Sequence, residues 1–89
     1  MVLKVKMLDV NGRLVEVRIR SNRRIAVREA DLPAPPPDRV VMRCMGEELE
    51  MRLVARQFGF AIYYMPAAFW RRLLELAAQY ETLPCVLST

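Results

Sequence analysis

Apolar and polar positions alternate with period two through most of this chain, and a 3.6-residue period replaces that alternation near its end. Residues 2 to 10, VLKVKMLDV, and 13 to 20, RLVEVRIR, read as the two strands of a hairpin. Odd positions are apolar in both. A two-residue Asn11-Gly12 loop would set Val5 opposite Arg18 and Met7 opposite Glu16. A three-residue loop with Gly12 in the left-handed position pairs Asp9 with Arg13 and brings the faces into agreement. The expected inner face is Leu3/Ile19, Val5/Val17 and Met7/Val15, with Lys6 across from Glu16 outside.

Residues 39 to 45 and 48 to 55 form a second alternating pair, for which a Gly46-Glu47 turn predicts Cys44/Leu49, Met42/Met51 and Val40/Leu53 inward and Arg43/Glu50 as an outer ion pair. Arg56-Gln57-Phe58-Gly59 is a third turn leading into FAIYYM. Apolar residues fill both faces of that last strand, so it is expected to be buried on both sides or to meet another subunit. Between the hairpins, residues 21 to 38 read as a crossing loop: Ile25 to Val27 can add a short strand, and Ala34 to Pro37 is a rigid extended connector.

From Pro66 to about Glu81 the period changes. Pro66 suits the start of a helix, and Phe69, Leu73, Leu76, Ala77 and Tyr80 fall on one stripe that should face the sheet. A second stripe, Ala67, Trp70, Leu74 and Ala78, makes the apolar arc wider than a one-sided surface helix requires. Residues 82 to 89, with the apolar run CVL, should dock as a tail. The expected fold is a single α+β, mainly-β domain over residues 1 to 89: a small twisted antiparallel sheet or partly open barrel of five to six strands. It comprises a hairpin (2 to 20), a connector (21 to 38), a three-strand meander (39 to 65) and one capping C-terminal amphipathic helix (66 to 81).

Composition sharpens this in two ways. In 89 residues, 54% are hydrophobic and 27% charged, with two each of Asn, Gln, Ser and Thr. Surplus apolar surface on so short a chain favours a homo-oligomer, with a dimer first, and Trp70, Leu74, Ala78, Phe60, Ile62 and Tyr64 are its candidate interface. The composition suits a protein from a hot environment, and the twelve Arg against two Lys equally suits a GC-rich genome. No window approaches a membrane span and no signal core follows Met1, so a cytoplasmic protein with no membrane partner is expected. Cys44 and Cys85 read as two buried reduced thiols, with a bridge between them as the alternative in a hyperthermophile.

The chain has no histidine, which removes the imidazole base and the common nucleophile and metal arrangements. Glu47, Glu48 and Glu50 cluster at a turn beside arginines, the setting of solvated charges. The single glycines make no phosphate loop. No enzyme, cofactor or metal is therefore expected. The charge pattern is more informative: net +4, with Arg18, Arg20, Arg23, Arg24 and Arg28 within eleven residues and Lys4 and Lys6 on the neighbouring strand. A strip of Lys4, Lys6, Arg18, Arg20, Arg23 and Arg24 suits a phosphate backbone, bound without regard to sequence. No aromatic residue lies among these arginines in the sequence, which argues against base stacking. The order of elements, two hairpin strands, three meander strands and a helix entered through proline, resembles that of the small SH3-like-barrel chromatin proteins of archaea. The resemblance is one of element order and implies a nucleic-acid role without assigning residues. The functional expectation is a non-catalytic nucleic-acid-binding module, with a protein–protein assembly subunit as the alternative.

Overall fold

The computed structural model describes all residues 1–89. Seven strands run β1 (Val2–Val10), β2 (Arg13–Arg20), β3 (Arg24–Arg28), β4 (Arg39–Cys44), β5 (Glu47–Gln57), β6 (Phe60–Tyr64) and β7 (Thr82–Ser88), with one helix, α1 (Ala67–Gln79), between β6 and β7. They close into a barrel in the order β1-β2-β3-β6-β5-β4-β7. The mainly-β architecture with a helix near the C-terminus is as expected. The five- or six-strand open sheet is not: two three-strand meanders join antiparallel through β3 and β6, and β7 fills the gap between β4 and β1. Closure gives every strand two neighbours, so no strand is left as a whole open edge, although β1 extends past the part that β7 covers.

Three two-residue turns connect β1 to β2, β4 to β5 and β5 to β6, and all three end in glycine. Asn11-Gly12, Met45-Gly46 and Phe58-Gly59 have positive φ at both positions, 51° and 86°, 47° and 86°, and 51° and 80°. That is the signature of the type I′ turn, whose twist matches the strands it joins. In the second hairpin this replaces the expected Gly46-Glu47 loop and shifts the register by two residues. Val40 pairs with Met51 and Arg43 with Glu48. A shift of two preserves the faces, so Val40, Met42, Cys44 and Met51 point inward and are buried as anticipated.

From Lys4 to Val10 the first hairpin is shifted by one residue and those side chains of β1 change sides, while a bulge between Val2 and Lys4 returns Val2 to its expected partner Arg20. Val5 lies opposite Arg18 and Met7 opposite Glu16, while Lys6 pairs with Val17 and Leu8 with Val15. The three-residue loop and the Lys6/Glu16 pair are therefore wrong. Both parities of VLKVKMLDV contain apolar residues, and the choice falls to the half that the barrel encloses. Strand β7 runs parallel to β1 only from Met7 to Val10. There Leu8 and Val10 enter the core, whereas Leu3 and Val5 lie beyond β7 and stay exposed. Asn11 adds to this choice, because its side chain accepts from the Thr89 N–H at 3.1 Å and donates to Thr89 Oγ1 at 3.0 Å, clamping the end of β7.

Pro66 stands just before the first helical residue, and its carbonyl accepts from Trp70 N–H at 2.9 Å. The buried stripe is Phe69, Leu73, Leu76 and Ala77; Tyr80 turns out at the helix end. Trp70 and Leu74 are half-buried and pack on this chain's own core. The tail is the closing strand, with Leu83, Cys85 and Leu87 inward. It sets Cys85 directly opposite Cys44, and the two form a disulfide rather than reduced thiols. The pairing of β4 with β7 brings their Cα atoms to 4.2 Å. The connector buries Leu32 and Pro36, and its Ala34–Pro35 bond is cis. Tyr63 Oη donates to the Pro37 carbonyl at 2.7 Å, and burial, with Asp38 and Glu29 nearby, pushes that phenol up to about 12. No helix is long and apolar enough to cross a membrane.

Candidate nucleic-acid interface

Alternation sends every second residue of a barrel strand outward, and on β2, β3, β6 and β5 those outward residues fall into rows set by the register. One row is Arg20, Arg24, Tyr64 and Arg52; the next is Arg18, Ala26, Ile62 and Ala55; the third is Glu16, Arg28, Phe60 and Gln57. The middle row carries short side chains at Ala26 and Ala55, so longer neighbours fold over it. Ala26 and Ile62 face outward yet are covered to 2% and 1% exposure. The result is a shallow groove with arginine walls.

Seven basic side chains pair with carboxylates: Lys6 with Glu81, Arg13 with Asp31, Arg28 with Glu16, Arg39 with Glu50, Arg43 with Glu48, Arg56 with Glu29 and Arg72 with Glu47. Arg18, Arg20, Arg23, Arg24 and Arg52 have no carboxylate partner, and all five lie on or beside the groove. Arg23 donates to the Tyr64 hydroxyl and Arg24 to the Asn22 carbonyl at 2.9 Å, both neutral acceptors. Arg56 illustrates the contrast, since its hydrogen bond to Glu29 at 2.6 Å raises its pKa further above the ordinary arginine value.

The structure therefore unites four of the six basic residues expected to act together and separates two. Lys6 turns to the inward side of β1, is 11% exposed at its side chain and reaches Glu81 at 3.5 Å. Lys4 pairs with the inward Ile19, so it is exposed on the parity of β1 opposite to the Arg18 side. Arg52 joins in their place. Nothing around residue 52 marks it in the sequence; only the pairing of β5 with β6 puts it beside Tyr64.

The same pairing corrects the expectation that the arginines lack aromatic neighbours. Arg18 stacks 4.5 Å from the centre of the Phe60 ring and Arg28 lies 5.8 Å from it. Arg23 and Arg24 lie 4.7 and 5.6 Å from the centre of Tyr64. Of the proposed subunit-contact residues, Phe60, Ile62 and Tyr64 thus form the floor and walls of this groove, while Ala78 is exposed on the helix. Two cavities adjoin in the groove. One, of about 220 Å³, is lined mainly by Met1, Val2, Phe58, Phe60, Ile62 and Arg18; the other, of about 230 Å³, is polar, with Arg20, Ser21, Asn22 and Arg24. Met1, Arg20, Gln57 and Ile62 border both. Comparison with protein-family models, curated proteins and solved structures finds no match.

Proposed function

We propose that this protein is a non-catalytic binding module that grips a nucleic-acid backbone through the arginine face of β2, β3, β6 and β5. One observation carries the reading: five of the seven Lys and Arg side chains without a carboxylate partner are gathered on a single face, the other two being Lys4 on β1 and Arg71 on the helix, while most of those elsewhere are neutralised by a neighbour. Arg20 directly opposite Arg24 is a like-charge pair that costs stability in the free protein and is relieved when an anion lies between them. Arginine is the side chain suited to that role, because its fork meets two phosphate oxygens at once and its plane also stacks.

Binding should be salt-sensitive and independent of sequence. If about four phosphates are neutralised, log affinity falls with log salt at a slope near −3.6 on duplex and near −2.8 on single strand. Anisotropy titrations with labelled strands across a salt series test this. Failure to bind either form at low salt would reject it.

A second reading, self-association, is supported by the register of β1. Val2, Leu3 and Val5 are each more than 40% exposed along the rim of the groove, whereas Trp70 and Leu74 are engaged within the chain. Sedimentation of the protein and of a Leu3→Lys, Val5→Lys variant separates this reading from a monomer: only a self-associating protein changes mass between the two.

A further inference from the structure

We propose that the groove selects single-stranded nucleic acid, seating one unpaired base in the apolar cavity between Phe58 and the Arg18–Phe60 stack, with the adjoining phosphates on Arg20, Arg24 and Arg52. The proposal rests on the backbone reading above and names its substrate form.

Phe58 is the first indication. It is 100% exposed, so its ring contributes no core burial. It also holds φ at 51°, a region that a bulky side chain occupies at a cost. The equivalent position in the first hairpin is Asn11, the residue that this turn prefers. Met45 holds the same turn position with similar φ, but Phe58 differs in being fully exposed and in lining the apolar cavity.

The second indication is the pairing of the two cavities. A mainly apolar chamber lined by Phe58, Phe60 and Arg18 opens beside a cationic, hydrogen-bonding one, and the two share Arg20. A nucleotide has that division, a planar base next to an anionic phosphate. Bases in single strands stack on aromatic rings and on guanidinium planes, whereas a duplex keeps its bases stacked inside and cannot offer one to a concave site. An acidic peptide would satisfy the arginines and leave the aromatic chamber empty.

The discriminating variant is Phe58→Asn, which removes the ring while giving the turn its preferred residue. The probes are a labelled single-stranded oligonucleotide, its duplex, and an abasic strand of equal length and charge. Wild-type protein should bind the single strand about tenfold more tightly than the abasic strand, and more tightly than the duplex. Phe58→Asn should lose that tenfold preference, keep its duplex affinity and salt slope, and melt no lower than wild type. Equal binding of single and abasic strands, or a Phe58→Asn variant that binds the single strand as wild type does, would overturn the proposal while leaving backbone binding intact. Competition by a nucleoside monophosphate at the strand's own concentration would reassign the cavity to a small molecule, and equal competition by polyglutamate would reassign it to an acidic peptide. No binding of any nucleic acid at low salt would remove the backbone reading and this one together.

Discussion

Arginine does opposite work on the two sides of this barrel. Around β4 and β5, Arg39 meets Glu50 at 2.9 Å, Arg43 meets Glu48 at 2.8 Å and, from the helix, Arg72 meets Glu47 at 2.7 Å. The same side holds the disulfide from β4 to β7. On the β2, β3 and β6 side, Arg18, Arg20 and Arg24 have no acid within reach and cluster around Phe60 and Tyr64, and the unpaired Arg52, opposite Arg39 on β4, stands where the two sides meet. Exposed ion pairs contribute at most about 1 kcal/mol each, so neutralisation is not what makes the first side firm. It makes that side electrically quiet. The unpaired side keeps its charge exposed, and under the proposed reading the contrast marks where binding and scaffolding divide.

The largest test of that division concerns the staple. In the chain-entropy view a bridge across a separation of 41 residues contributes about 4 kcal/mol. Changing Cys44 and Cys85 both to Ala should lower the urea midpoint accordingly, while protein still folded at low denaturant binds nucleic acid as before. Loss of binding without loss of stability would show that the two sides are not separable.

Next in size is the exchange of arginines. Arg18→Ser with Arg20→Ser should weaken binding and flatten the salt slope by up to about two. Arg39→Ser with Arg43→Ser, an equal loss of charge on the neutralised side, should leave the slope unchanged in the same titration. Equal effects from the two pairs would reduce the arginine face to a contribution from net charge alone.

A third test uses pH and touches only the scaffold. Tyr63 is fully buried and its phenol is raised to about 12, above the ordinary 10, chiefly by desolvation. The folded state therefore holds this proton more tightly than the unfolded state. Its contribution is complete below about pH 10 and is lost as pH rises from about 10 to about 12, amounting to roughly 2–3 kcal/mol. Tyr63→Phe should flatten that alkaline limb in denaturant titrations followed by circular dichroism. An unchanged limb would assign it to other groups.

The smallest effect is the sharpest comparison. Met45 and Phe58 hold the same strained turn position on different hairpins. Met45→Asn should stabilise the fold by about 0.5–1 kcal/mol, read as a rise in melting temperature, and leave binding untouched. Phe58→Asn should stabilise it similarly and cost single-strand affinity. If both behave alike in binding, the Phe58 ring has no part in recognition.

Much of the scaffold was legible because it depends on local periodicity. The strands of both hairpins, the inward set Val40, Met42, Cys44 and Met51, and the helix stripe Phe69, Leu73, Leu76 and Ala77 all follow from spacing within one or two elements. The candidate site was legible only in Arg18, Arg20, Arg23 and Arg24. Phe60 is separated from Arg18 by more than forty positions, and no local pattern shows that β3 and β6 bring them to one face. Turn chemistry was the other weak point. Asn11-Gly12 signals a type I′ turn, but apparent face matching in β1 outweighed it, because both parities of that strand carry apolar residues.

By itself, then, the sequence determined what periodicity and residue type dictate: strands, turns near three glycines, a helix after Pro66, and a surplus of arginine. Tertiary structure alone decided which face of β1 is buried, that β7 closes the barrel and joins Cys85 to Cys44, and which cations keep their charge. The physical reason is the range of the interactions. Alternation and helical period act over a few residues, whereas face choice, closure and charge pairing depend on which distant strand becomes the neighbour, and that is set by enclosing the whole core at once.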